Sequence, residues 1–333
     1  MEGNQLRYIV DRLVYLFIVL IIAISGVFVL VNKMPGDPAY GLAVSIAQQR
    51  NMQMDQALEI AHKIMGVDPH ESLVVRYFRF ISNLFKGNFG YSAFYQTSVN
   101  EIIAKSLPWT LFVISLATFV SFMVGIFMGA FAAQKRGTII DLIISTISSI
   151  IQAVPPFVLA VLILFIFAVR LRVLPIGGAY PVDVEPSFSV QFILKVLHHA
   201  IGPMFATAIP QMAAWTLAMR GNTSQVMEED YIRFAQARGL KDSVIANKYI
   251  KNNAMLPLVA SLAISVGYML GGHTLVESIF NYPGIGFYFG KAIAVRDFGL
   301  LTGLFSLIVI GVIVATFIAE IIYALIDPRV KLK

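Results

Sequence analysis

The sequence is 333 residues long, 58% apolar and only 13% charged, with a net charge of +6 and no cysteine. Soluble globular domains carry about 25% charged residues, so this composition excludes an ordinary water-soluble fold and points to lipid as the solvent. The missing cysteines exclude a disulfide framework, a thiolate metal site and a thiol nucleophile. The basic residues are scattered among short polar segments and do not line one face with interleaved aromatics, which argues against a nucleic-acid surface.

The first long apolar run is Leu13–Val31, preceded by Arg7 and Arg12. It exceeds the usual apolar region of a signal peptide, and no small-residue cleavage site follows. Met34-Pro35-Gly36-Asp37-Pro38 reads as a turn instead. Residues 33–106 are too long for a connection and carry their own helical periodicity, so they are expected to form a small external domain. Ala57, Leu58, Ala61, Ile64 and Met65 share one helical face. Val74, Val75, Phe78, Ile81, Leu84 and Phe85 share another, with Arg76, Arg79 and Lys86 nearby. This second helix reads either as interfacial, lying along the headgroups, or as an ordinary packed amphipathic helix.

Five further runs free of Asp, Glu, Lys and Arg follow: Leu107–Ala133, Leu142–Val169, Ala200–Met219, Ala254–Gly272 and Phe298–Ala319. Every run has at least 19 residues, and a helix needs about 20 to cross a hydrocarbon core. The expected fold is therefore an all-α integral membrane protein with six transmembrane helices. The N-terminal segment with the first span covers residues 1–32, and residues 107–333 form a membrane core holding the other five spans. Pro155 and Pro156 in the third run must break or kink its helix. Freed carbonyls are tolerated at that depth only against protein or a water-filled cavity, so Pro155, Pro156 and the Gly-rich end of the fifth run (Gly267, Gly271, Gly272) are candidates for lining a path. With the N-terminus inside, thirteen Lys and Arg fall on the cytoplasmic side and five in the short loops opposite. Both termini are accordingly expected in the cytoplasm.

The most polar stretch on the inner side is the loop 220–253, which reads as two short helices. Glu228, Glu229 and Asp230 put negative charge at the start of the first, Arg238 sits in its last turn, and Gly239 supplies a left-handed cap. Glu229 and Arg233 stand at i,i+4, while Met227, Tyr231, Phe234 and Ala235 share the other face, which needs a partner. Asp242 is expected to cap the second helix, with Lys248 and Lys251 at its far end. An anionic leaflet would repel the acids of the first turn, so docking on a protein is the favoured reading.

The segment Glu229-Asp230-Tyr231-Ile232-Arg233-Phe234-Ala235-Gln236-Ala237-Arg238-Gly239-Leu240, followed by Asn253-Ala254-Met255-Leu256-Pro257, resembles the coupling loop of ABC importer permeases of the oligopeptide/dipeptide/nickel type. Other marks lie along the whole chain: Pro35-Gly36-Asp37-Pro38, Gly87-Asn88-Phe89-Gly90-Tyr91-Ser92, Leu107-Pro108-Trp109-Thr110-Leu111, Leu174-Pro175-Ile176-Gly177-Gly178, residues 277–286, Arg296-Asp297 and Asp327-Pro328-Arg329. The long outer loop is similar to that of the B-type subunit. In place of the Glu-Ala-Ala that opens the coupling motif, Arg233-Phe234-Ala235 stands here, leaving Ala235 and Gly239 as the matching residues. The resemblance implies a type I importer permease fold in the plasma membrane of a prokaryote. It also implies a second homologous permease subunit across a pore, two ATP-binding subunits beneath, and an extracytoplasmic solute-binding protein. Coupling to the ATPase would then run through Glu229, Asp230, Tyr231, Arg233, Phe234, Ala235, Ala237, Arg238, Gly239 and Leu240.

No nucleotide site is legible. In Gly286-Phe287-Tyr288-Phe289-Gly290-Lys291-Ala292 three residues instead of four separate the glycines, and Ala replaces the Ser or Thr that binds magnesium. ATP and magnesium are expected on partner subunits, with no cofactor or metal in this chain. Glu320, in the last run, reads as a charge satisfied at the interface about two turns from Arg329. The default cargo is a peptide, with oligosaccharide and nickel as competitors. An ion-coupled secondary transporter would need paired broken helices and mid-membrane charge, and only one proline-broken run is evident. A membrane scaffold without transport is the third reading.

Overall fold

The computed structural model describes residues 2–34, 37, 39–65 and 71–326, and for 2–11, 65, 260, 263, 264, 266–268, 270, 319 and 321–326 the backbone alone. The turn residues Pro35, Gly36 and Pro38, and the segment Asp327-Pro328-Arg329, lie outside the described residues. The chain is mostly helical and divides into two compact units, residues 1–110, 270–274 and 283–333 in the first and 111–269 and 275–282 in the second.

In the first unit, α1 (Glu2–Asn32) is followed by α2 (Tyr40–Arg50), α3 (Met54–Met65) and α4 (Leu73–Phe85). Ala39, Leu42, Ala43 and Ile46 close over Ala57 and Ala61, so α2 and α3 share a small core built largely from alanines. Asp37 accepts from the Ala39 N–H at 2.8 Å and lies 3.0 Å from His62 Nε2, tying the start of α2 to α3. The two-residue strands β1 (Tyr91–Ser92) and β2 (Thr97–Ser98) pair antiparallel and lead into α5 (Val99–Gln134).

The last helices of this unit are α13 (Ile285–Val295) and α14 (Phe298–Ile326), numbered after the seven helices α6 to α12 given below. Val99, Ile102, Ile103, Ile285, Leu300, Leu301 and Leu304 form their common core. Helix α14 packs along α1, and Arg12 holds Glu320 through both guanidinium donors, Nε to Oε2 at 2.5 Å. Glu320 is thus satisfied by the first helix, which sequence spacing within the last helix could not reveal.

The second unit holds the rest of α5, then α6 (Ile139–Gln152), α7 (Pro156–Ile163), α8 (Val190–Met227), α9 (Asp230–Ala237), α10 (Asp242–Val244), α11 (Lys251–Tyr268) and α12 (Thr274–Ile279), of which α12 begins in the first unit. Helix α8 packs against α6, α7 and α11. Gly125 and Gly129 let α5 and α8 approach closely. A Cβ on Gly125 would stand 2.5 Å from the Trp215 Cβ, and one on Gly129 would overlap the Thr216 carbonyl. This is the small-xxx-small spacing by which membrane helices pack.

Four helices are long and apolar enough to cross a membrane: Arg12–Asn32, Val99–Gln134, Val190–Met227 and Phe298–Ile318. A fifth results if α6 and α7, with the π-helical residues Leu164–Arg170, count as one span; they are bent by 93° at Ala153–Pro155. Pro155 is extended (φ −60°, ψ 140°) and Pro156 opens α7, where its missing N–H costs nothing. Helix α11, expected as a span, has 18 residues and opens on Lys251-Asn252-Asn253, so its apolar part is shorter than the other four; a 3₁₀ turn, Met269–Gly271, extends it. The six-span expectation is thus met to four or five helices among the described residues.

Candidate functional site: the loop between α8 and α11

The site is built on the far end of α8, a helix capped at its start by Ser189, whose Oγ accepts from the Phe192 N–H at 3.2 Å. Seven residues before its end, Arg220 donates from Nε and Nη2 to the two carboxylate oxygens of Asp141 at 2.5 and 2.8 Å. Asp141 is buried and also accepts from the Gly137 N–H and the Ser145 hydroxyl. A fork-shaped guanidinium against a carboxylate fixes orientation as well as distance. Arg136 donates to Glu228 at 2.6 Å, and Asn222 Nδ2 donates to the Ala254 carbonyl. The α5–α6 turn, α8 and α11 are thereby joined around the place where the loop emerges.

Helix α9 begins after Glu229, whose backbone is extended and whose side chain makes no capping bond. At its other end Gly239 has φ +71°. The Gly239 N–H donates to the Gln236 carbonyl at 2.9 Å and the Leu240 N–H to the Ala235 carbonyl at 3.3 Å. These two bonds are a Schellman closure, which needs a left-handed residue and so favours glycine. Ile232 and Ala235 are buried against Ile245, with Leu240, Tyr249 and Ile250 around them. Tyr231 and Phe234 look outward, 40% and 66% exposed. Arg238 lies over the Phe234 ring at 5.9 Å, and Arg233 stands 3.7 Å from Asp230.

Four details differ from the sequence reading. Ala235 turns inward with Ile232, a buried residue the face assignment missed; the 232/235 spacing three apart was the available signal. Arg233 pairs with Asp230 instead of Glu229. The residue before α10 is Lys241, so Asp242 is its first residue and not its cap. Lys248 and Lys251 do not close a second helix, because α10 continues through the π-helical residues Ile245–Ile250 directly into α11.

Pro155, Pro156 and Gly267 belong to the second unit, Gly271 and Gly272 to the first. Gly271 ends the 3₁₀ turn, and Gly272 follows at φ +63°. The near-miss phosphate loop, residues 286–292, lies inside α13, where the N–H groups from Tyr288 onward are spent on the helix. His198 and His199 bond backbone carbonyls, His198 that of Val173 at 2.9 Å and His199 those of Gly177 and Gly178. Those carbonyls lie by the Leu174–Gly178 segment, whose Gly178 N–H donates to Phe280 O at 2.9 Å. Two of the sequence marks therefore meet in one packing arrangement.

A third arrangement is centred on Asp297, which sequence reading had quoted only as a mark. Its carboxylate is 2% exposed and accepts from the Ser92 hydroxyl at 2.5 Å, the Phe94 N–H at 3.1 Å and the Leu300 N–H at 3.0 Å. It thus caps α14 and clasps the β1–β2 hairpin in one stroke. Gly299 and Gly303 leave room for the Tyr91 and Phe89 carbonyls, which a Cβ would strike. Burial, with Tyr288 and Asp297 close by, pushes the neighbouring Tyr95 phenol above its ordinary pKa.

Long apolar helices joined by a braced polar loop define a multi-pass membrane protein. Residues 125–332 match the family described as binding-protein-dependent transport system inner membrane component, and residues 5–117 match its N-terminal membrane component. The chain belongs to that family. It is 30% identical over 97% of its length to a probable peptide ABC transporter permease protein of Sinorhizobium fredii, covering 99% of that protein. It is 30% identical over 91% to an oligopeptide transport system permease protein of Bacillus subtilis, 92% covered. Against a dipeptide transport system permease protein of Lactococcus lactis it is 30% identical over 98%, covering all of it. The family is a transporter component and not an enzyme.

Proposed function

We propose that this chain is the B-type permease subunit of an ATP-driven peptide importer and forms half of its translocation pore. Relatives of matching length named for peptide, oligopeptide and dipeptide transport support the cargo class. The observation that carries the coupling assignment is the geometry of α9: a helix locked from behind by Ile232, Ala235 and Ile245 and closed at Gly239, presenting Tyr231 and Phe234 outward with Asp230 and Arg233 beside them. An apolar ridge rimmed by charge, on a rigid base, is the form of a helix that seats in a groove of a soluble partner.

In this reading six spans cross the membrane with both termini inside, the segment 33–106 belongs to the outer side, and a solute-binding protein delivers cargo there. A second permease subunit faces this one, and two ATPase subunits, holding ATP and magnesium, engage α9 of each. Closure of the ATPases displaces α9, and the braced helices α8 and α11 carry the displacement as a rigid-body change. The broken span at Pro155-Pro156 and the glycines Gly267, Gly271 and Gly272 border the path.

The test replaces both exposed side chains, Tyr231→Ser with Phe234→Ser, in the assembled transporter in vesicles. Neither belongs to the buried cluster behind α9, so membrane insertion stays at the parent level. ATP-dependent peptide uptake and co-purification of the ATPase subunits fall to background. Parent-level uptake by this variant would refute the coupling assignment.

A further inference from the structure

We propose that α4 is a partial-depth membrane helix, standing upright against the lipid-facing flank of α1 with Val74, Phe78 and Phe85 against acyl chains. The proposal rests on α1 being a membrane span. Its observation is a run of contacts along α1 that a helix lying flat on the headgroups could not make. Tyr77 Oη lies 2.6 Å from Ser25 Oγ, and the Tyr77 and Phe80 rings pack on Phe28 at 5.4 and 5.5 Å. Phe85, further along α4, meets Phe17 at 6.3 Å. Later residues of α4 reach earlier residues of α1, so the two run antiparallel.

The depth follows from helix geometry. Phe17 lies about 22 Å along the axis from Asn32, where the chain leaves the span, at 1.5 Å per residue. Allowing about 10 Å for the reach of two phenylalanine side chains still places the end of α4 about 12 Å inside the apolar stretch. A helix can sit there because its backbone bonds are internal. Ser72 caps its first turn, accepting from the Val75 N–H, and the Lys86 N–H closes its last on the Ser82 and Asn83 carbonyls.

The remaining surface of α4 is two-sided. Val74, Phe78 and Phe85 are 63%, 65% and 64% exposed and, spaced four and seven apart, form one edge. That edge continues the exposed apolar surface of α1 at Phe17, Ile18 and Ile22. Left in water, each such side chain would forgo the favourable removal of its apolar surface from solvent. Ser82, Arg79 and Lys86 form the other edge, Arg79 pairing with Glu71, and long basic side chains can carry their charge toward the headgroups or a watery vestibule. Continuity with the span therefore assigns lipid, not a protein, to the apolar edge.

Because the chain has no cysteine, single substitutions Phe78→Cys, Phe85→Cys and Ser82→Cys can each carry one bimane label in the full transporter, reconstituted in phosphatidylcholine/phosphatidylglycerol vesicles. Ile22→Cys on α1 and Val182→Cys in an exposed loop serve as lipid and water references. Labels at 78 and 85 are expected to be quenched by acyl-chain nitroxide lipids as strongly as at 22, the deeper nitroxide favouring 85, while iodide reaches 82 and 182 only. Iodide quenching at 78 and 85 equal to that at 182 would place α4 outside the bilayer and overturn the proposal. Shielding of both from both quenchers would overturn it too, revealing a protein partner on that edge. A label at 22 that lipid nitroxides do not reach would instead overturn the span reading of α1 on which the proposal stands.

Discussion

Replacing Asp297 should loosen the hairpin at residues 91–98 far more than it loosens α14. In Asp297→Ala the helix loses its cap, about 1 kcal/mol. The Ser92 hydroxyl and Phe94 N–H lose a charged acceptor, about 1.5–3 kcal/mol each. The three bonds share one carboxylate and are not additive, so about 3–5 kcal/mol is expected in all. Asp297→Asn keeps one acceptor oxygen and an amide to which Ser92 can turn, so it should lose roughly half as much. Hydrogen exchange read by mass spectrometry on peptides spanning 89–98 reports this directly. The Phe94 amide should exchange roughly 10²- to 10⁴-fold faster in the alanine variant, up to the rate of unstructured chain, with asparagine between. Equal protection in all three proteins would show that the clasp contributes nothing and that the reasoning from its geometry is wrong.

Gly129→Leu should force α5 from α8 at the Thr216 carbonyl and Met219, costing about 1–3 kcal/mol and lowering the melting temperature in detergent, with Gly129→Ala intermediate. An unchanged melt would contradict the close crossing. Arg220→Ala strands the buried Asp141 carboxylate. The loss should be about 2–4 kcal/mol, at the low end for a buried pair because the guanidinium is 32% exposed. The double variant Arg220→Met with Asp141→Leu should recover most of it in the same melt, whereas equal losses in single and double variants would deny the pairing.

The long apolar helices were legible because lipid demands uninterrupted apolar sequence, and that demand is local. The break at Pro155-Pro156 was legible for the same reason, since a missing N–H acts on its own helix. The Gly239 closure could be read because left-handed caps are almost residue-specific. What could not be read were pairings distant in sequence. Glu320 finds Arg12 across the whole chain, and Asp297 finds Ser92, because packing and not spacing chooses their partners. The outward face of α9 was half right: Tyr231 and Phe234 were placed correctly, but an eight-residue helix leaves the boundary of its stripe to whatever packs behind it, here Ile245. The Gly125/Gly129 spacing carried a signal that the sequence reading passed over.

From Asp242 to Tyr268 the helix is continuous over about 40 Å, π-helical at Ile245–Ile250, and Ile245 near its foot is the seat on which Ile232 and Ala235 rest. Packed side chains, and not only the Gly239 elbow, join α9 to that foot. Over that length a tilt of about 5° at the base sweeps the far end by about 3.5 Å.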